Sequence, residues 1–391
     1  MSLKLRRLTI NGFKSLVDFE LRIPDELLVL IGQNGSGKSS LLQALAFLRY
    51  VAHGNPEQFF ADRGWAPADI QSKIKRSGPH LQCGLVFEAE DKKEISWGID
   101  WSFSESAILK EYIYIRDSAK KTTNILSRKY GRSPNLGGTM ISGIYLKGSL
   151  LPLIDIGALD VETAAIVTAL RKWGAGIFSL ELLSPVEMRR GARGSPTDIG
   201  PRGERLAGFL ASLSPAQKDR IVARLAPFYP LQGLETTRKR AGWVDLRIAE
   251  AFKGMGRIGA AHMSDGFLRL LGIASIPEFG DAASMVLLDE VEDGVDPHIL
   301  PDFIRLVARE SKAQLVLTSH SPVLVNAFEP DQIAFVARDE AGRSQAASFA
   351  DIQPLMAGLD HFGAGEVWAM TDAKRIAELV IARNKERAGE K

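Results

Sequence analysis

The sequence predicts an α/β fold, and three short apolar runs carry that prediction. The first is Leu27-Leu28-Val29-Leu30-Ile31, which passes through a glycine-rich turn, Gly32-Gln33-Asn34-Gly35-Ser36-Gly37, into a helix start at Lys38-Ser39-Ser40-Leu41-Leu42. The second, Met285-Val286-Leu287-Leu288, ends in Asp289-Glu290, and the third, Leu315-Val316-Leu317, ends in Thr318-Ser319-His320. Three to five consecutive apolar residues bounded by polar ones suit strands buried on both faces, as in a parallel sheet. Such sheets keep their ligands at the carboxyl edge, where all three runs place their polar residues.

The first run defines the ligand. Gly32, Gly37, Lys38 and Ser39 fill the fixed positions of G-x-x-x-x-G-K-[ST]. Glycines let backbone N–H groups turn inward around phosphate oxygens, and the helix N-terminus adds positive dipole at the same point. In this pattern Lys38 reaches the β- and γ-phosphates and the Ser39 hydroxyl ligates Mg²⁺. A dinucleotide turn is excluded, because Gly35 and Gly37 lack the third glycine. The chain is therefore expected to bind a nucleoside triphosphate.

Composition narrows the setting. The chain has 391 residues, enough for a large core and two or three lobes. Its N-terminus lacks the apolar segment of a signal peptide, and no window has the ~18 apolar residues of a membrane span. One cysteine, Cys83, excludes an internal disulfide and suits a reducing cytosol, so a cytoplasmic protein is expected. A net charge of +2 implies no polyanionic partner by itself, and any such surface must be local.

In chain order, residues 3–23 hold two alternating runs, Leu3 to Ile10 and Val17 to Ile23, joined by the turn Asn11-Gly12-Phe13-Lys14-Ser15. They read as a half-buried strand pair. Residues 53–80 are punctuated by Gly and Pro and read as a surface loop. From Leu81 to about Tyr130 the period is two, with Ile95, Trp97, Ile99, Trp101 and Phe103 on one face, as in an antiparallel sheet packed on a core. The stretch Arg116 to Arg132 sets six cations, with Tyr130 among them, against Asp117 alone. It is either a solvated hairpin loop or a phosphate-contacting patch for nucleic acid.

Residues 155–235 read as mainly helical, with Asp160 to Leu170 and Pro215 to Leu225 at helical spacing and Ser214 as N-cap. Prolines at 185, 196, 201, 215, 227 and 230 exclude a long coiled-coil arm, and Arg189, Arg190, Arg193, Arg202 and Arg205 give a weaker basic signal among Glu187, Asp198 and Glu204. Three blocks follow: 1–150 with the glycine-rich turn and an antiparallel β subdomain, 151–255 as a helical insertion, and 256–391 as the returning α/β part. Asp339 to Arg343 reads as a hairpin turn, and the tail from Arg383 as a frayed helix end.

The second and third runs supply the rest of the site. Beside a complete P-loop, Asp289 is placed to hold Mg²⁺ through its hydration shell, and Glu290 to polarise the attacking water. His320 is either a strand-end histidine satisfied by backbone or an imidazole donating to the γ-phosphate. The other histidines show no metal-ligand spacing. Ser264-Asp265-Gly266 opens a helix with an apolar face of Phe267, Leu270, Leu271 and Ile273, which alone is an ordinary N-cap.

Taken in order, the P-loop, Ser-Asp-Gly before a helix, Leu-Leu-Asp-Glu-Val-Glu-Asp-Gly-Val-Asp-Pro and Thr-Ser-His-Ser-Pro resemble the ABC-type ATPases of the SMC/RecF class. The likeness is greatest to their short-armed, OLD-like and AAA-type relatives, and the opening Leu-Thr-Ile-Asn-Gly-Phe-Lys-Ser-Leu is similar to theirs as well. The resemblance covers residues 1–50 and 260–330. It implies a P-loop NTPase with an ABC-type head, an antiparallel β subdomain and a helical insertion, without a nuclease domain. It also implies ATP and Mg²⁺ as ligands and an ATP-dependent homodimer that shares its sites.

Position by position, Gly32 to Ser40 become Walker A, with Asn34, Gly35, Ser36, Gly37, Lys38, Ser39 and Ser40 around the phosphates. Asp289 and Glu290 become Walker B, His320 the switch histidine, and Gly294 to Pro297 the D-loop. Ser264 and Gly266 become the signature that meets a second subunit's ATP, with Asp265 standing where the family has glycine. The Q-loop glutamine stays open among Gln58, Gln71 and Gln82. The implied output is nucleic-acid processing, DNA repair or phage defence, with a separate nuclease effector as partner and no membrane. Two alternatives remain, a transporter's ATP-binding subunit and a non-hydrolysing ATP sensor. The 225 positions between Ser39 and Ser264 are far more than a compact transport head requires.

Overall fold

The computed structural model describes residues 3–75, 78–89, 92–116, 121–129, 134–136, 139–140 and 147–389. Its centre is a six-stranded sheet in the order Ile177–Ser179, Met285–Leu288, Gln314–Thr318, Leu27–Ile31, Ile333–Arg338, Ser344–Ser348. The first five strands are parallel and the last returns antiparallel. The three apolar runs are thus neighbours in one sheet, with the Gln314–Thr318 strand between the P-loop strand and the Asp-Glu strand.

Alternation within these runs feeds two cores. Leu28, Leu30, Met285, Leu287 and Val316 face one core, while Leu27, Val29, Ile31, Val286, Leu288, Leu315 and Leu317 face the other. Burying each such side chain is worth about 1.5–3 kcal/mol, which is why the interiors of these strands hold no polar residue. On the first face lie the P-loop helix Lys38–Ala52, the helix Val161–Ala175 and an eight-stranded antiparallel sheet. On the second face lie the helices Leu206–Ser212, Pro215–Leu225, Asp265–Ala274 and Leu300–Glu310.

The antiparallel sheet runs from Phe19–Arg22 through Leu3–Asn11, His80–Ala89, Glu94–Ser102 and Ala107–Arg116 to Thr122–Arg128 and two short strands. Ile95, Trp97, Ile99, Trp101 and Phe103 are all buried on its inner face, as their alternation predicts. The pair Leu3–Asn11 and Phe19–Arg22 is antiparallel, and the hairpin between Ile333–Arg338 and Ser344–Ser348 turns at Asp339 to Arg343.

Other stretches differ from their sequence reading. Residues 53–80 contain the helices Pro56–Arg63 and Pro67–Ile70, and Phe59 and Phe60 insert among Phe47 and Trp101. The surface-loop reading fails there because the helices are too short to show a period and each opens on a proline. Residues 155–235 hold four helices, but Ile177–Ser179 joins the main parallel sheet and Leu231–Arg238 pairs with Trp243–Glu250.

Of the basic stretch Arg116 to Arg132, Asp117, Lys120, Tyr130 and Arg132 lie outside the described residues. Within it, Arg116 faces Glu94 at 3.6 Å and Arg128 donates to the Gly148 carbonyl at 2.8 Å. The tail belongs to a docked helix, Ala373–Gly389, where Arg387 pairs with Glu20 at 3.2 Å and Asn384 bonds the Ala346 carbonyl at 3.0 Å. No helix among the described residues is long and apolar enough to cross a membrane.

Candidate active site

The P-loop strand is buried along its whole length, so the chain must leave the sheet edge abruptly. It does so through Gly32–Gly37, and Gly37 caps the following helix with φ 113°. That left-handed conformation favours glycine. A Cβ at Gly37 would also run into the Ser344 hydroxyl. Ser344 is fully buried in the returning hairpin strand, and its Oγ donates to the Ser36 carbonyl at 2.6 Å and lies 2.7 Å from Ser15 Oγ. The loop is therefore braced from beneath by an element more than 300 positions away.

The phosphate cradle carries groups in search of a ligand. Gln33, Asn34 and Gly35 are exposed at the rim, and Ser36 Oγ is buried without a partner among the described residues. Lys38 folds back onto the loop's own carbonyls, at 2.8 Å from Gly32 O and 3.2 Å from Gln33 O. Burial pulls its ammonium below the ordinary lysine range, while the facing charges of Asp289, Glu290 and Glu292 pull it back up. A half-desolvated cation over a cradle of amides fits a polyphosphate.

Across the sheet edge, Asp289 and Glu290 leave the end of their strand, and Thr318 organises both. The fully buried Thr318 Oγ1 donates to Asp289 Oδ1 at 2.5 Å and accepts the Glu290 backbone N–H at 2.8 Å. Glu290 sits at φ 46°, the left-handed region, which costs a non-glycine residue about 1–2 kcal/mol. The Thr318 carbonyl takes the Val291 N–H at 3.3 Å, and the Glu292 carboxylate accepts the His320 backbone N–H. The acid loop 289–292 and the segment 318–320 are thereby tied together bond by bond. Glu292 Oε2 is buried and unpartnered among the described residues.

A further acid stands nearby. Glu181 follows the edge strand Ile177–Ser179, is nearly buried, and pairs with Arg63, which stacks over Phe59. Burial raises its carboxyl above the ordinary range, and the charge of Asp289 raises it further. Of the Q-loop candidates, Gln58 donates to Asp62 at 2.6 Å and Gln82 to Asp100 at 3.3 Å. Gln71, whose backbone bridges Phe13, has no side-chain bond among the described residues.

Ser264 caps the helix Asp265–Ala274 through a 3.3 Å bond from the Phe267 N–H, and both Ser264 and Asp265 are exposed. Asp265 is neutralised by Arg189, which also donates to the Met263 carbonyl at 2.9 Å. A Cβ on Gly266 would strike the Gly294 carbonyl, and Arg269 pairs with Asp293 at 2.9 Å, so this helix start is locked onto the 293–295 loop. No bond among the described residues joins Ser264, Asp265 or Gly266 to the P-loop. The structure thus brings Lys38, Asp289 and Glu290 together and holds the 264–266 turn on its own exposed mount.

Four residues of this arrangement escape sequence inspection. Thr318 and Glu292 stand inside quoted motifs without a role, Arg189 stands only as one of a run of basic residues, and Ser344 carries no local signal at all.

The fold and site resemble those of ABC-type ATPase heads of the SMC/RecF-like class. A family model described as "AAA ATPase domain" matches residues 3–130. A second, described as "AAA domain, putative AbiEii toxin, Type IV TA system", matches residues 201–326. The chain is 32% identical over 107 residues to the DNA replication and repair protein RecF of Actinobacillus pleuropneumoniae serotype 5b, a match covering 24% of this chain and 29% of that protein. It is 38% identical over 55 residues to the DNA double-strand break repair Rad50 ATPase of Methanocaldococcus jannaschii, covering 14% of this chain and 6% of the relative. These matches thus span less than a third of either relative's length.

Among solved structures, an SMC head bound to the C-terminal winged-helix domain of ScpA aligns with TM-score 0.54 and 17% identity over 88% of this chain and 97% of that one. A head with an extended coiled coil, bound to the C-terminal domain of ScpA derived from Pyrococcus furiosus, aligns with TM-score 0.54 and 13% identity over 92% and 100%. At these identities the likeness is one of fold.

Proposed function

We propose that this chain binds and hydrolyses ATP as a dimeric SMC/RecF-like ATPase and drives a nucleic-acid process, DNA repair or phage defence, with a separate nuclease effector. The observation that carries the proposal is the convergence of Lys38, Asp289 and Glu290 at one sheet edge, with Thr318 bonded to both acids. The RecF and Rad50 matches favour repair, and the toxin-system family description favours defence.

The P-loop amides and Lys38 would hold the triphosphate, and Ser39 and Asp289 would hold Mg²⁺, which when bound would supply charge neutralisation on the phosphates. Glu290 takes the proton of the attacking water, and His320 meets the γ-phosphate from the segment tied to the acid loop. Ser264 and Gly266 of one chain close on the nucleotide of the other.

Glu290→Gln separates binding from turnover. ATP affinity is expected to persist while hydrolysis falls about 10²–10⁴-fold, the usual cost of losing a positioned base. Lys38→Ala is expected to weaken binding itself. Calorimetric ATP binding and phosphate release on the same preparations check both, and near-normal turnover in Glu290→Gln would remove this residue from the chemistry.

A further inference from the structure

We propose that the hairpin formed by Leu231–Arg238 and Trp243–Glu250 presents at its tip a docking platform for single-stranded nucleic acid. The proposal rests on the nucleic-acid process proposed above and assigns that process a place on the molecule.

The strand Trp243–Glu250 buries Val244, Leu246, Ile248 and Glu250, which turns Trp243 and Arg247 outward. Trp243 is 42% exposed, an unusual position for an indole with an apolar core beneath the same strand. One face of the ring is occupied by Arg193 from the neighbouring short strand, in register with Trp243, its guanidinium carbon 4.7 Å from the ring centroid. The tip itself is a tight turn. Ala241 and Gly242 both lie in the left-handed region, at φ 60° and 76°, and the Lys239 N–H closes onto the Trp243 carbonyl at 2.7 Å. All residues from Arg238 to Trp243 are exposed.

Charge around the hairpin tip and its outer face is one-sided. Arg193, Arg238, Lys239, Arg240, Arg247 and Arg257 stand against Glu235 and Asp245, and each acid is already taken, Glu235 by Arg257 and Asp245 by Lys239. Arg238, Arg240 and Arg247 have no carboxylate partner among the described residues. An exposed indole with one face against a guanidinium, on a hairpin whose Arg238, Arg240 and Arg247 have no carboxylate partner among the described residues, offers two things at once: a flat surface for stacking and a track for phosphates. A single strand supplies both, because its bases are free to stack while its backbone neutralises the arginines. A duplex withholds its base faces, and an acidic peptide brings charge without planar rings.

Fluorescence anisotropy on the full chain tests the platform, with a labelled oligothymidylate of about 30 nucleotides titrated across a range of salt. Arg238→Ala with Arg240→Ala is expected to flatten the log–log salt dependence by about 0.7 for each phosphate no longer neutralised. Trp243→Ala is expected to weaken binding roughly five- to a hundredfold with little change in slope, and Trp243→Phe to keep most of the affinity. Lys121→Ala with Lys129→Ala serves as a control on the other basic stretch, and basal ATPase is expected to be unchanged in every variant.

If the wild type binds while the hairpin variants match it in affinity and slope, the platform is overturned and the nucleic-acid reading stands. If the wild type binds neither oligothymidylate nor duplex, both fall. Polyglutamate binding that is sensitive to the arginines and indifferent to Trp243 assigns the tip to an acidic protein and overturns the proposal.

Discussion

At the scale of single residues, the threonine hydroxyl between the two acids has a consequence that can be measured. Thr318 Oγ1 spends its proton on Asp289 and its lone pair on the Glu290 N–H, so one atom fixes the direction of one carboxylate and the backbone strain of the other. Thr318→Val keeps the shape and removes the hydroxyl. It leaves a buried N–H and a carboxylate oxygen unpaired, at about 1–3 kcal/mol for each group. The expected outcome is a fall in kcat and a higher Mg²⁺ requirement with ATP affinity nearly kept, and recovery in Thr318→Ser. Equal kcat in Val and Ser variants would show that the hydroxyl has no part in holding the acids. Thr318 was visible as a letter in Thr-Ser-His, but its bonds cross strands and no spacing rule reports them. The same holds for Ser344, which touches the P-loop only because the hairpin returns under it. Lys38, Ser39, Asp289 and Glu290 were legible because their chemistry demands fixed residues at fixed local spacing.

At the scale of elements, the antiparallel sheet hides an acid that its alternation did not announce. Glu111 lies in the strand Ala107–Arg116 and is 1% exposed, accepting from Trp97 Nε1 at 3.2 Å, Ser149 Oγ at 2.5 Å and the Leu150 N–H at 2.8 Å. Desolvation raises its carboxyl above the ordinary range, and these three bonds oppose the shift without cancelling it. Between the unfolded and the raised folded value the native state binds the extra proton, so this group's contribution to stability falls as pH rises through that window. Glu111→Gln cannot titrate, so the stability difference between wild type and variant is expected to shrink with rising pH in denaturant melts. A difference that stays constant would mean that Glu111 titrates normally in the fold.

Alternation made the strands themselves readable, since Ile95 to Phe103 show a clean period of two. The helices of residues 56–70 and the strand Ile177–Ser179 were not readable, because three to eight residues show no period and only tertiary burial decides their state.

At the scale of the whole molecule, the exposed 264–266 turn and the separate P-loop cleft set up a test of sharing between chains. In the shared-site dimer proposed above, Lys38→Ala would disable both sites of its homodimer, and Ser264→Arg, which puts bulk and charge on the proposed signature, would do the same. A mixed dimer joins one intact Walker A to one intact signature, so mixing the two variants is expected to restore part of the ATPase activity. No rescue despite demonstrated heterodimers would count against a shared site. A dimer of one wild-type and one doubly mutated chain has no intact shared site and is expected to stay inactive, whereas sites contained within one chain would leave it one working site.

The order of the central sheet also governs how the chain comes into being. The P-loop strand Leu27–Ile31 pairs on its two sides with Gln314–Thr318 and Ile333–Arg338, nearly 300 positions downstream. At about 5–20 residues per second of synthesis, this run of apolar residues waits on the order of 15–60 s without the strands that cover its edges. A nascent chain in that interval is a target for holding chaperones, and a fragment of residues 1–150 keeps the problem permanently. Such a fragment is expected to aggregate alone and to be recovered in soluble form when residues 151–391 are supplied in the same cell. A soluble, cooperatively melting 1–150 fragment would show that its antiparallel sheet folds without them. The site that binds the nucleotide is thus begun long before the ribosome has made the strands that can finish it.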